Sequence, residues 1–446
     1  MSFNGLGRGE RAVWIFLLFS WGATDVLLAQ QPQPRISKFE KDQVLQMLNT
    51  VSSDVRKHYY DPKMHQVDWD ASVQNFRGRI ENAASLNRGL SEVAAALDVL
   101  NDSHTFFLPP PRPYKHDYGW RIAMVGEKCL VLGVRPQSDA EIKGVKPGDQ
   151  VVTINGFAPA RENLWKMNFV HNVLRPQPSL HVSLLSPSGD RKDLEIVAAM
   201  RQLQQTRDLT GEGIWDYIRD LQSEGELGKM RYAELEGDVM VLRFPSFAFG
   251  QSEVDGAMKK ARHHKALVMD LRGNGGGAVS TLNEFLGNLF EHDVKICDRV
   301  TRDNSKPETA KSRGKDAFTG KLVVLVDSRS GSASEILARV VQIEKRGTVV
   351  GDKSAGAVME ARRYSYKLGL DTIVPYGASI TGADLIMTDG KSLEHEGVTP
   401  DEIHLPTPAD LAAGRDVALA RAVEIAGGKI SLEDAGKLMP FEWPKN

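Results

Sequence analysis

The sequence predicts an α/β chain of several domains. Three observations carry that expectation: helical periodicity near the N-terminus, a β-rich middle section, and a second half in which short buried strands alternate with helices. The 446 residues are enough for two or three domains at about 100–200 residues each. An apolar content of 41% and a charged content of 26% are those of an ordinary globular protein. The net charge of −2, with no long run of one sign, argues against nucleic acid or an anionic surface as the main partner. Two cysteines, Cys129 and Cys297, are too few for a disulfide framework or a Cys-based zinc site.

Residues 1–29 stand apart. Arg8 and Arg11 precede an apolar run from Ala12 to Ala23, and Val26-Leu27-Leu28-Ala29 leads into the polar Gln30–Pro34. This order predicts a secretory signal cut after Ala29, and so an exported protein, periplasmic or extracellular. A membrane span needs about 20 apolar residues, and Asp25 interrupts this run.

Residues 36–114 read as a helical region. Val44, Leu45, Leu48, Val51 and Val55 recur at helical spacing, as do Trp69, Val73, Phe76 and Ile80. The stretch Leu108–Pro113 holds four prolines and ends the helices as a stiff linker. Residues 115–200 read as short strands, among them Lys128–Val134 and Leu180–Leu185. Between these two, Pro147-Gly148-Asp149 turns into a strand and Asn155-Gly156 makes the next tight turn. A linker is expected over 201–229.

Residues 230–408 alternate. Ala266–Asp270, Leu322–Asp327 and Thr348–Val350 are apolar enough for buried parallel strands. Val279, Leu282, Phe285, Leu286 and Leu289 mark one intervening helix; Ile336, Leu337, Val340 and Val341 mark the next. The result is a βαβαβ core. In the closing segment, 409–446, one helix from Ala409 to Ala426 is predicted, opened by Pro408 and Asp410 and stopped by Gly427-Gly428.

Two strand-to-helix loops carry the chemistry. In Asp327-Ser328-Arg329-Ser330-Gly331-Ser332-Ala333-Ser334-Glu335 a buried strand ends and a helix begins near Ala333. A serine there lies beside free backbone N–H groups and the positive end of the helix dipole. On position alone any of the three serines is an N-cap, with Glu335 closing a capping box. In Asp270-Leu271-Arg272-Gly273-Asn274-Gly275-Gly276-Gly277 a strand runs into four glycines within five residues, a backbone nest for an anion. The loop lacks the Gly-Lys-Ser/Thr ending of a phosphate loop and the dinucleotide fingerprint, so an oxyanion hole fits better. His263-His264 has no third ligand at useful spacing and there is no His-Glu-x-x-His, so neither metal nor cofactor is expected.

Four segments in order are Asp-Leu-Arg-x-Asn-x-Gly-Gly at 270–277, Ser-x-Ser-x-Ser-Glu at 330–335, Gly-Asp-Lys-Ser-Ala-Gly in the place of a Gly-x-x-Thr-x-Gly pattern at 351–356, and Glu-x-x-Gly-Val-x-Pro-Asp at 394–401. Together they resemble the C-terminal processing peptidases, the tricorn core peptidases and the retinoid-binding modules related to them. The stretch Ala140–Gly156 resembles a PDZ domain. The resemblance implies a crotonase-like peptidase core, with a PDZ groove that takes an extended peptide as an added strand.

By position it implies Ser332 as nucleophile, with the Ala333 N–H and a glycine N–H from Gly276 or Gly277 as oxyanion donors. The Ser-Lys branch places its lysine after the Gly356 position, where this chain has Ala357; Lys353 lies four residues earlier. The tricorn branch instead uses a histidine in an Asp-x-His-Thr element, matched by Asp102-Ser103-His104-Thr105. His104 is then the general base, Ser103 a helper, and Glu394 or the nearby Glu396 the acid that orients it. The activity implied is a secreted serine endopeptidase acting on unfolded or C-terminal peptide segments. Two other readings stay open: a non-catalytic binding protein on the same scaffold, and an esterase using the same serine.

Overall fold

The computed structural model describes residues 35–202, 229–369, 373–441 and 443. The predicted signal, the greater part of the predicted 201–229 linker and the final residues lie outside the described residues.

The helical region forms α1 (Lys38–His58), α2 (Trp69–Glu81) and α3 (Leu86–Asp98). Each begins at a side-chain cap, Ser37, Asp68 and Ser85 respectively, which takes an otherwise unbonded backbone N–H. Their apolar faces do not close on one another alone. They pack with Phe107, just beyond α3, and with Leu368, Tyr376, Ala378 and Ile380 from strands far along the chain. The segment before the prolines is a short strand, β1 (Phe106–Leu108).

The middle section contains β2 (Tyr114–Asp117), β3 (Trp120–Val125), β4 (Lys128–Val134), β5 (Gln150–Ile154), β6 (Ser179–Leu185), β7 (Arg191–Val197) and β8 (Ala199–Gln202). Strands β3-β4-β5-β6-β7 make one antiparallel sheet with its own apolar core, and β2 pairs with β8 where the chain enters and leaves. Gly148 (φ +89°) makes the turn before β5. Asn155 (φ +50°) and Gly156 (φ +84°) make the turn after it, the left-handed pair that Asn-Gly supplies at least cost.

The second half holds β9 (Arg231–Leu235), β10 (Val239–Arg243), β11 (Ala266–Asp270), β12 (Val294–Thr301), β13 (Ser305–Ala310), β14 (Lys321–Val326), β15 (Thr348–Gly351), β16 (Met359–Leu368), β17 (Val374–Met387) and β18 (Glu402–Ile403). One six-stranded sheet runs β18-β15-β14-β11-β10-β9, parallel except where β9 meets β10. Its central strands are buried on both faces, as continuous apolar runs require. A second sheet runs β1-β17-β12-β13, with β16 also on β17. Phe106 pairs with Ser379 there, which seats the His104 segment beside β17.

Helices α6 (Gln251–Ala261), α7 (Val279–Leu289) and α8 (Ala333–Ile343) complete the alternation; α4 (Asp139–Ile142) and α5 (Leu164–Phe169) belong to the middle section. The single helix expected over Ala409–Ala426 is two, α9 (Pro408–Ala412) and α10 (Val417–Ala426), followed by α11 (Leu432–Leu438). Gly414 takes a left-handed conformation (φ +65°), and Asp416 caps α10 by accepting the Leu419 N–H at 3.0 Å. The predicted stop at Gly427 is where α10 ends, with φ +97°.

Candidate active site

Strands β11 and β14 are parallel neighbours, so their C-terminal ends deliver the glycine loop and the serine loop side by side. The three serines, equivalent by position, are not equivalent in space. Ser330 Oγ donates to the Leu271 carbonyl at 2.8 Å, and Ser334 Oγ donates to the Asn274 carbonyl at 2.8 Å. Both are fully buried and tie one loop to the other. Ser332, between them, is half-buried and its hydroxyl bonds no helix N–H. Its backbone sits at φ +52°, ψ −117°, a conformation a residue with a Cβ holds at a cost of about 1–3 kcal/mol. A strained strand-to-helix turn of this kind exposes a serine hydroxyl at the top of an α/β sheet.

The glycine loop is fastened from below. Arg272 makes two bonds of 2.8 Å to Asp270 and two of 2.8 Å to Asp416, and although burial opposes it, Arg272 holds Asp270 down at about 2. Asn274, fully buried, donates to the Phe244 carbonyl at 3.0 Å and accepts the Gly276 N–H at 2.9 Å.

The Gly276 N–H is therefore engaged, and this glycine contributes in another way. A Cβ on it would lie 2.6 Å from Ser332 Cβ and 2.9 Å from the Ala333 nitrogen, at φ +97°. Only a glycine lets the two loops touch there. Gly277 is exposed and bridges to Phe247. In that bridge the Phe247 N–H goes to Gly276 and the Ala278 N–H goes to Phe247, so the Gly277 N–H takes no part. The Ala333 N–H, first in α8, is one of the amides a helix leaves without an internal partner.

His104 lies 228 positions before Ser332 in the chain, and the link between them runs through Ser103, Glu394 and the Val358 N–H. Ser103 Oγ lies 2.7 Å from His104 Nδ1 and donates to Glu394 Oε2 at 2.9 Å; the Ser103 N–H donates to Glu394 Oε1 at 2.7 Å. Because the Ser103 hydroxyl proton goes to the carboxylate, its oxygen accepts from Nδ1–H. That assigns the proton to Nδ1 and leaves the lone pair on Nε2. Burial holds the His104 imidazole below its ordinary value, against upward pulls from Glu394 and Asp102. Glu396 is exposed, so of the two acids only Glu394 joins this chain of bonds.

One peptide unit connects the relay to the serine. The Ala357 carbonyl accepts the Ser332 N–H at 2.9 Å, and the N–H of the same unit, on Val358, donates to Glu394 Oε2 at 2.8 Å. Ala357 thus stands at the serine with no group that can take a proton. Lys353 uses its backbone elsewhere: its carbonyl accepts from Arg161 Nη1 at 2.9 Å and its N–H donates to Asp352 at 2.7 Å.

Two buried carboxylates bonded to these loops went unassigned in the sequence. Asp102, buried, accepts the N–H groups of His104 (2.8 Å) and Thr105 (2.7 Å) and the hydroxyls of Thr105 (2.8 Å) and Thr381 (2.8 Å). An Asp two residues before a loop residue is the local signal for such a turn. Glu335 was legible only as a capping acid, and it does accept the Ser332 N–H at 3.0 Å. Among the described residues no His, Cys, Asp and Glu side chains group as a metal site would require. No described helix is long and apolar enough to cross a membrane.

The chain matches the profile of peptidase family S41 over residues 238–404 and that of the tricorn protease C1 domain over 41–88. It is 24% identical over 391 residues to a carboxyl-terminal-processing peptidase 1, chloroplastic, of Arabidopsis thaliana, covering 84% of this chain and 73% of that one. It is 22% identical over 457 residues to a carboxyl-terminal-processing protease of Synechocystis sp., covering 98% of each. Its fold is similar to the structure of mature CPAF complexed with lactacystin, with a TM-score of 0.62 at 14% identity, covering 84% of this chain and 96% of that one.

Proposed function

We propose, on the premise that the chain belongs to peptidase family S41 and is a serine-type peptidase, that Ser332 is its nucleophile and His104 its general base. Nε2 of His104 takes the Ser332 hydroxyl proton as Oγ attacks the substrate carbonyl carbon. The oxyanion is held by the Ala333 and Gly277 N–H groups, each such donor being worth about 2.7–4 kcal/mol. The scissile C–N bond then breaks, Nε2 returns the proton to the leaving amine, and water repeats the sequence on the acyl-enzyme. Glu394, through Ser103, keeps the imidazole in the required tautomer and supports its charge once it is protonated.

The observation that carries this reading is the relay from Glu394 through Ser103 to His104 Nδ1, which frees Nε2 as a base. Alanine at position 357 supports it by removing the competing lysine. The 115–200 unit, PDZ-like in sequence, docks extended or C-terminal peptide segments for cleavage. The first 29 residues direct export, and amino-terminal sequencing of the secreted protein should begin at Gln30.

The test is labelling by a fluorophosphonate probe and hydrolysis of a casein-like substrate. Ser332→Ala and His104→Ala should each lose about 10⁴-fold or more of turnover, whereas Lys353→Ala should keep it. Labelling that survives Ser332→Ala would remove the nucleophile. Loss of turnover in Lys353→Ala with activity retained in His104→Ala would restore a lysine mechanism. Ester hydrolysis with no peptide cleavage would make the chain an esterase.

A further inference from the structure

Besides the backbone bonds from the Ser332 N–H to the Ala357 carbonyl and from the Ala355 N–H to the Ser330 carbonyl, one carboxylate ties the loop Gly351–Val358 to the strained turn at Ser332. Glu335, on the first turn of α8, is fully buried. Its Oε2 accepts the Ser332 N–H and the Ala357 N–H, each at 3.0 Å. Its Oε1 accepts the Ser354 hydroxyl at 2.6 Å and the Gly356 N–H at 2.7 Å. Two carboxylate oxygens offer about four acceptor sites, so this group is saturated by donors. It makes no ion pair among the described residues, and every group bonded to it donates. A neutral acid or an amide placed here would bring a donor of its own to a site that presents only donors. Capping alone needs one of the four bonds; the other three reach across to a loop nineteen or more residues away.

We infer that Glu335 is a positioning residue for the nucleophile. Its carboxylate fixes the backbone of Ser332 in its strained conformation and, through Ala357, fixes the peptide unit that spans from Ser332 to Glu394. The serine and the relay are thereby held in one register although Ser103 and His104 lie far from Ser332 in the chain. Burial pushes the Glu335 carboxyl up to about 7 against the pull of its four donors, so the geometry depends on a charge that is expensive to keep. The inference rests on Ser332 being the nucleophile.

The experiment compares the parent with Glu335→Gln and Ser354→Ala in the full chain. Saturated acylation rate and half-saturating concentration are read with a fluorophosphonate ester, and folding is read by near-ultraviolet circular dichroism and Tm. Glu335→Gln should lower the saturated rate about 10- to 100-fold with the half-saturating concentration changed less than about threefold, because the loss is in alignment and not in binding. Ser354→Ala removes one of the four donors and should lower the rate in the same direction by a smaller factor. A lowered Tm with the saturated rate unchanged in a folded Glu335→Gln would overturn the inference and leave Glu335 a structural cap. If Glu335→Gln does not fold, Ser354→Ala decides: a rate equal to the parent's overturns the inference, a reduced rate supports it. A parent that is not labelled at Ser332 removes the nucleophile itself, and this inference with it. Parent labelling with both variants at the parent rate removes the inference alone.

Discussion

Asp102 acts on His104 in two ways that a substitution can separate. Its oxygens hold the His104 and Thr105 amides, and its charge pulls the imidazole upward against the burial that holds it low. Asp102→Asn keeps the size of the side chain and removes the charge. The imidazole should then protonate at lower pH than in the parent, since one of its two upward pulls is gone while the desolvation stays. Titration of the His104 ring by NMR reads this directly, and a midpoint that rises or stays still contradicts it. Because charge-assisted bonds contribute about 1.5–3 kcal/mol, turnover should fall about 10- to 100-fold from the loosened loop. The same residues show how far sequence reaches at this scale. Ser330, Ser332 and Ser334 share residue type and position at a helix start, and only the carbonyls of Leu271 and Asn274, about sixty residues away in the chain, set the outer two apart. Glu394 and Glu396 differ likewise by which one meets Ser103, a contact 291 residues long.

At the scale of the element, the site is two loops set on adjacent parallel strands, and Gly276 is where they touch. Gly276→Ala would place a Cβ against Ser332 Cβ and the Ala333 nitrogen, at a φ that L residues hold only with strain. The strain alone costs about 1–2 kcal/mol, and relief of the clash must displace the start of α8. Labelling of Ser332 should therefore fall at least about 100-fold, a rate cost of about 2.7 kcal/mol, while the sheet remains folded by circular dichroism. Parent-like labelling would show that the loops do not need to meet there. Strands of this core were legible because both faces are buried and the apolar run is continuous, as in Ala266–Asp270. The short β1 was not: three residues beside a proline run become a strand only because β17 accepts them. Nor was the break between α9 and α10, since Asp416 leaves the helical pattern to cap α10 and to bond Arg272, 144 residues away.

At the scale of the whole molecule, the middle unit is tied to the loop that backs Ser332. Arg161 donates twice to the Asp352 carboxylate at 2.7 Å and once to the Lys353 carbonyl, while the Gly126 N–H reaches Asp352 at 2.9 Å and Ser328 Oγ reaches the Met124 carbonyl at 2.5 Å. Asp352 and Lys353 open the segment that ends at Ala357, so a load on the middle unit is a load on the site. A second tie joins β3 and the residue after β4 to the closing segment, where the buried Arg121 sits 3.5 Å over the Phe441 ring and Arg135 sits 4.7 Å over the Trp443 ring. The two ties predict different outcomes. Removing one partner of a largely buried, multiply bonded ion pair costs about 3 kcal/mol or more, whereas a desolvated cation–π contact such as that of the buried Arg121 contributes about 2 kcal/mol. Arg161→Ala should therefore speed hydrogen exchange both in β3–β4 and in residues 351–358, and should slow labelling of Ser332. Phe441→Ala should speed exchange in β3–β4 alone and leave labelling within about twofold of the parent, because the loss of about 2 kcal/mol there breaks no bond to the 351–358 loop. Equal exchange in Arg161→Ala and the parent over 351–358 would mean that the middle unit does not restrain the site, and that its tie to Asp352 is one of packing only.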